Sequence, residues 1–145
     1  MEFMVIRKAD AETEAGVMPS AELVADMMAY NEQMIRAGVM VAGDGLRPSR
    51  DGARISFKDG KPTIVDGPFA EAKELIAGYT MIQVRDKDEA LEWVRRWPAI
   101  DGHGNVQLEL RRLYETDDFG DAVTPEIRKQ EELLRGLAEK NAKGG

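Results

Sequence analysis

Two stretches of this chain alternate with the two-residue period of a strand and are apolar on both faces. In Phe3 to Arg7, Phe3 and Val5 point one way while Met4 and Ile6 point the other. In Tyr79 to Val84, Tyr79 and Met81 oppose Thr80, Ile82 and Val84. Strands of this kind belong in a sheet that is covered on both sides. At 145 residues the chain is one domain by length, large enough for a real core.

The intervening segments say what covers one side. Ser20 caps a predicted helix over 21–37, with Glu22 in its first turn and an apolar stripe from Leu23 and Met27 to Met34 and Ile35. Gly38 stops it. Before it, 9–19 reads as a surface loop. Val39 to Ala42 reads as a short strand that Gly43-Asp44-Gly45 breaks. Residues 54–58 and 63–65 form a hairpin about Asp59-Gly60, and Pro62 places that hairpin at an edge. Asp86 with Glu89 reads as a capping box for a second helix that buries Ala90, Trp93, Val94 and Trp97 and stops at Pro98. Val106, Leu108 and Leu110 alternate as a last strand. After an acidic irregular stretch, Thr124-Pro125-Glu126 starts a helix to about Lys140.

Strand, helix, strand, strand, helix, strand is a ferredoxin-like split βαβ pattern, an α+β fold over residues 1–116 with an extra β-hairpin. Residues 117–145 form an acidic linker and an appended C-terminal helix. The stripe of that helix (Ile127, Leu133, Leu134, Leu137) is too thin to cover the second sheet face. The pattern therefore predicts a sheet-on-sheet homodimer, with roughly 800 Å² buried per subunit.

Composition removes several function classes. With 20 Lys and Arg against 27 Asp and Glu, the net charge is -7 and there is no basic stripe, so nucleic acid is not expected as a partner. No apolar run approaches the ~20 residues that span a bilayer, so no membrane partner is expected. The N-terminus lacks a signal-peptide pattern, and a cytoplasmic location is expected. There is no cysteine, and His103 is the single histidine. No metal-ligand spacing, P-loop or Ser/His/Asp set can be assembled, and neither a metal nor a cofactor is expected.

The richest stretch for chemistry is Asp66-Gly67-Pro68-Phe69-Ala70-Glu71-Ala72-Lys73-Glu74-Leu75. Loops between strands commonly carry small-molecule sites. Desolvated at a strand end, Asp66 is the candidate acid/base. Lys73 can hold an anion or a carbonyl oxygen, with Glu71 and Glu74 beside it. Arg47 and Arg50 on the preceding loop can grip a carboxylate bidentately. Asp44 and the Tyr79 hydroxyl complete the candidate binding set. Each has a plainer alternative. Gly67-Pro68 can simply set a turn, with Phe69 plugging the core and the charged residues solvated. Asp66 can be an Asx-turn or cap. Asp44 and Arg47 can be a surface pair worth ~0–1 kcal/mol. Tyr79 can be core, and His103 an exposed turn residue.

The Asp66-Gly67-Pro68-Phe69 tetrapeptide followed by Glu71, Lys73 and Glu74, together with strand one and the loop Val41 to Ser49, resembles the YCII-related family in its DGPF branch. The resemblance covers about residues 3–115. It implies a dimeric α+β barrel with a pocket between the sheet and the 66–74 loop. Some relatives are similar proteins acting on small cyclic, aromatic-derived compounds with a His–Asp pair. Genes of DGPF-type proteins often neighbour those of extracytoplasmic-function sigma factors. Here the one histidine lies in a turn after the second helix, away from strand one. Three readings stay open: a lyase, isomerase or hydrolase using Asp66; a non-catalytic ligand-binding or regulatory dimer linked to a sigma factor; and an interaction protein whose C-terminal helix docks on a partner.

Overall fold

The structure, a computed structural model, describes residues 1–144. It divides into two compact units, Met1–Leu113 and the segment from Tyr114 onward. In the first, strands β1 (Glu2–Lys8), β2 (Met40–Gly45), β3 (Ala53–Lys58), β4 (Lys61–Asp66), β5 (Ile76–Gln83) and β6 (Leu108–Arg112) alternate with helices α1 (Ala11–Glu14), α2 (Ala21–Arg36) and α3 (Lys87–Val94). Four strands form one antiparallel sheet in the order β2-β5-β1-β6. β1-α2-β2 is split by β5, and β5-α3-β6 is split by β1. This is the α+β, ferredoxin-like arrangement. β3 and β4 pair only with each other, as an arm inserted between β2 and β5.

One sheet face packs under α2 and α3. Phe3, Val5, Ile82 and Val84 are buried there against Tyr30, Met34 and Ala90. Each large apolar side chain buried this way contributes about 1.5–3 kcal/mol. The Tyr30 hydroxyl donates to the Trp93 carbonyl at 2.7 Å, and burial pushes this phenol up to about 12. On the opposite face Met4, Ile6, Tyr79 and Met81 remain half-exposed.

Local differences from the sequence reading have local causes. The expected 9–19 loop contains α1, because the Asp10 carboxylate accepts the Thr13 N–H and the Thr13 hydroxyl accepts the Asp10 N–H, each at 2.9 Å. β2 runs through Gly43-Asp44-Gly45 instead of breaking there. The glycines serve close strand approach: a Cβ on Gly43 would lie 3.3 Å from the Tyr79 carbonyl oxygen, and one on Gly78 would lie 3.0 Å from that of Asp44. The cap of α3 is one-sided. Asp86 accepts the Glu89 N–H, but the Glu89 carboxylate turns to the Arg85 N–H. Phe69 is half-buried under the Arg54 guanidinium, 4.2 Å from its ring centroid, and does not join the core.

In the second unit, Thr124 Oγ1 accepts the Ile127 N–H and opens α4 (Pro125–Gly144). α4 continues past Lys140 because Asn141-Ala142-Lys143 holds no helix breaker. Gly145 lies outside the described residues. Among the described residues no helix is long and apolar enough to cross a membrane.

Candidate functional site

A cavity of about 1250 Å³ opens in the first unit. Its walls are the α1 segment, the first turns of α2, the β2 end with the following loop, the start of β5, and the turn after α3. The apolar lining includes Leu23, Met27, Met40 and Trp97, and the polar lining includes Arg7, Asp44 and His103.

Arg7 follows Phe3 and Val5 on the helix-covered face, so its guanidinium enters the interior and needs a partner there. It finds Asp101, with Nη2 to Oδ1 at 2.8 Å and Nε to Oδ2 at 3.3 Å. Nη1 donates to Asp10 at 3.1 Å and to the Lys8 carbonyl at 2.8 Å. The Trp97 indole N–H donates to Asp101 at 2.9 Å. Burial alone would push the Asp101 carboxyl up. The Arg7 guanidinium and the indole N–H outweigh it and hold the group below its ordinary value. Asp10 follows the same pattern, lowered against its desolvation by Thr13 and Arg7. With side chains only 11% and 9% exposed, Arg7 and Asp101 form the rigid floor of the cavity.

Two further groups stand at the walls. The Tyr79 hydroxyl donates to Asp44 Oδ2 at 3.0 Å across the β2–β5 ladder, where these residues are register partners. That carboxylate pushes the Tyr79 phenol above its ordinary range and keeps it a donor. His103 Nε2 shares a 2.8 Å hydrogen bond with Glu12 Oε2. His103 holds a left-handed backbone (φ 55°) between Gly102 and Gly104, both also at positive φ. A non-glycine residue in that region carries strain that clusters at functional sites.

Of the residues singled out from sequence, Asp44, Arg47 and Tyr79 line the cavity, as does Arg50. Arg47 donates to Asp51 at 2.8 Å rather than pairing with Asp44. Asp66, Glu71, Lys73 and Glu74 are exposed and lie outside the lining. Asp66 closes β4 opposite Ala53, and the other three sit in or beside a single 3-10 turn, Ala72–Glu74. Sequence reasoning missed Arg7, Asp101 and the contact of His103 with Glu12. The first was legible: a charged residue in phase with Phe3 and Val5 points into the interior. The other two depend on bringing residues about ninety positions apart together, for which the sequence has no local mark.

A protein-family model described as YCII-related domain matches residues 1–109. An uncharacterized protein of Rhizobium meliloti (strain 1021) is 32% identical over 95 residues, 65% of this chain and 77% of that protein. Among solved structures, the chain is similar to the 5-chloro-2-hydroxyhydroquinone dehydrochlorinase of Burkholderia phenoliruptrix AC1100, in complex with 2,5-dihydroxybenzoquinone. There the sequence identity is 15% and the TM-score 0.44, over 81% of this chain and 98% of that one.

Proposed function

The chain belongs to the YCII-related domain family, and within it we propose a DGPF-type homodimer that binds a small, anionic, hydroxylated or cyclic molecule in the cavity above the Arg7–Asp101 pair. The observation that carries this reading is the convergence on one cavity of an apolar lining with polar groups from five segments. Concave, mainly apolar sites with a few placed polar groups are where small ligands bind. Leu23, Met27 and Met40 supply the apolar surface for a ring or short chain. Arg47 and Arg50 supply cations for a carboxylate. Histidine beside a carboxylate is the commonest equipment for moving a proton, so His103 with Glu12 is the acid/base pair of the proposed lyase, isomerase or hydrolase chemistry. Arg7 and Asp101, bonded to each other and to Asp10 and the Trp97 indole, form the floor rather than react.

The half-exposed apolar face of Met4, Ile6, Tyr79 and Met81 supports the homodimer. Asp66 stays the alternative acid/base, acting at the 66–74 loop instead of the cavity.

The test is ligand-induced stabilisation against a panel of small carboxylates, lactones and hydroxylated aromatics that includes salicylate. It is run on wild type, Asp44→Asn, Tyr79→Phe, the cavity-filling Met27→Trp, and Asp66→Asn. A ligand at 100 times its Kd adds about 2.7 kcal/mol to folded stability. The reading requires stabilisation of wild type and of Asp66→Asn, with loss in Met27→Trp. Loss in Asp66→Asn alone moves the site to the 66–74 loop. A panel without a hit overturns the small-molecule reading and favours a regulatory or interaction dimer.

A further inference from the structure

The Asp66–Phe69 tetrapeptide marks the sequence more strongly than any other stretch, yet none of its residues lines the cavity. Its contacts lie behind the cavity wall, at Ser49. The Phe69 N–H donates to Ser49 Oγ at 2.9 Å. That hydroxyl in turn donates to Glu14 Oε2 at 2.7 Å, and the Ser49 backbone N–H donates to Glu14 Oε1, also at 2.7 Å. Ser49 thus joins three segments distant in sequence: α1, the loop after β2, and the tetrapeptide loop. Gly67 presses on the same point. Its N–H donates to the Gly52 carbonyl at 3.0 Å, and a Cβ there would lie 1.8 Å from the Ser49 carbonyl oxygen. Only glycine lets the two backbones approach this closely.

What the junction holds is the loop bearing Arg47 and Arg50. Pro48 and Arg50, on either side of Ser49, line the cavity, as does Arg47. A second set of contacts fixes the same loop to α1. Arg50 Nη1 donates to the Ala15 carbonyl at 3.3 Å, and a Cβ on Gly16 would lie 2.5 Å from Arg50 Nη2. Arg47 itself reaches outward, 82% exposed, and pairs with Asp51 four positions on in the same loop, so its placement depends on the backbone beneath it.

We propose that Ser49 is the positioning residue of this wall and that the Asp-Gly-Pro-Phe loop is its backstop, so that the motif presents Arg47 and Arg50 to the carboxylate of a ligand it never touches. The motif is then a structural latch, and the acid/base chemistry lies elsewhere. The ligand half of this proposal rests on the cavity reading above; the latch half does not.

The test pairs amide hydrogen exchange with salicylate binding in full-length wild type, Ser49→Ala and Ser49→Thr. Glu14→Gln reaches the junction from its other side should Ser49→Ala fold poorly. Ser49→Ala removes one hydrogen-bond donor and one acceptor at the junction. Exchange over 46–52 is expected to rise about tenfold or more, with β1 and β5 unchanged. The Kd for salicylate is expected to rise about tenfold, and Ser49→Thr, which keeps the hydroxyl, to restore both. Unchanged exchange over 46–52 overturns the latch, whatever happens to binding. Faster exchange with an unaltered salicylate Kd overturns the positioning role. If wild type binds no salicylate, the cavity reading fails for this ligand class, and exchange alone decides the latch.

Discussion

Gly67→Ala and Gly52→Ala make a contrast in which one loop serves as its own control. Neither glycine has the positive φ that penalises a side chain; Gly52 sits at φ −127°. Their backbones therefore accept alanine, and each substitution gains about 0.4–1 kcal/mol by restricting the unfolded chain. Space differs sharply. A Cβ on Gly52 meets the Ser49 carbonyl oxygen at 3.7 Å, an ordinary contact. A Cβ on Gly67 meets that same oxygen at 1.8 Å and the Ser49 carbonyl carbon at 2.5 Å. Backbone cannot step aside as a flexible side chain does, so one loop must move. Its cheapest route gives up the Gly67 N–H bond to Gly52 and the Phe69 N–H bond to Ser49. Two such bonds are worth about 1–3 kcal/mol together. Set against the gain from the unfolded state, Gly67→Ala loses about 1–2 kcal/mol while Gly52→Ala is neutral or slightly stabilising. The gap of about 2 kcal/mol corresponds to about 6–8 °C in Tm for a domain of this size. Denaturant unfolding at a fixed m-value and thermal melts should both show it. Equal stability of the two variants would refute the argument that close approach to Ser49 explains Gly67.

Asp101→Asn leaves the Arg7 guanidinium buried with Asp10 as its one charged partner among the described residues, and should cost about 3 kcal/mol at neutral pH. The Asp101 carboxyl titrates below its ordinary 3.8 in the folded chain, so its contribution is present above that value and lost as pH falls through the lower folded one. Denaturation of the two proteins should therefore converge in strong acid, and a constant gap would count against the ion pair. His103→Gly should not destabilise, because relief of a left-handed backbone at a non-glycine residue, about 1 kcal/mol, offsets an exposed pair worth ~0–1; a melt showing a clear loss would remove the strain argument. Asn31 lines the cavity with its Oδ1 buried and without a hydrogen bond among the described residues. Asn31→Leu should add about 1 kcal/mol of stability, and a destabilised variant would mean the amide is satisfied. Met81→Asp on the half-exposed sheet face should convert a dimer to a monomer in sedimentation; a wild type that sediments as a monomer would refute the homodimer.

Much of this fold was legible because its signals are local. The period-two alternation of Phe3 to Arg7 and of Tyr79 to Val84, the Ser20 cap and the Asp59-Gly60 turn each act within a few residues, and each became the element it announced. What stayed hidden was contact between remote segments. Gly43 looked like a breaker, because a glycine that ends a strand and a glycine that lets two strands close up are the same letter. The tetrapeptide was visible as an anomaly, but its purpose was not, since the atom that explains Gly67 is the carbonyl oxygen of Ser49. Only three of the seven candidate residues, Asp44, Arg47 and Tyr79, reach the cavity, and they come from strands whose register the sheet fixes or from the loop that Ser49 ties down.

That division bears on how a site of this kind can change. The floor is rigid: Arg7 is held by Asp101, Asp10 and the Lys8 carbonyl, and removing Asp101 leaves its buried guanidinium with part of its charge compensation gone. The wall is modular. Arg47 stands on a loop held at Ser49 from outside the cavity and bonds only within that loop, to Asp51, so its side chain can be exchanged without disturbing the junction, whereas Arg50 ties the loop to the Ala15 carbonyl. Changing the cation at 47 should therefore alter which anion binds at little cost in stability. Changing Ser49, Glu14 or Gly67 should cost order in the wall first and selectivity only as a consequence. A selectivity change in Arg47→Gln without a shift in Tm, set beside a loosened 46–52 segment in Glu14→Gln, would separate the two roles within one protein.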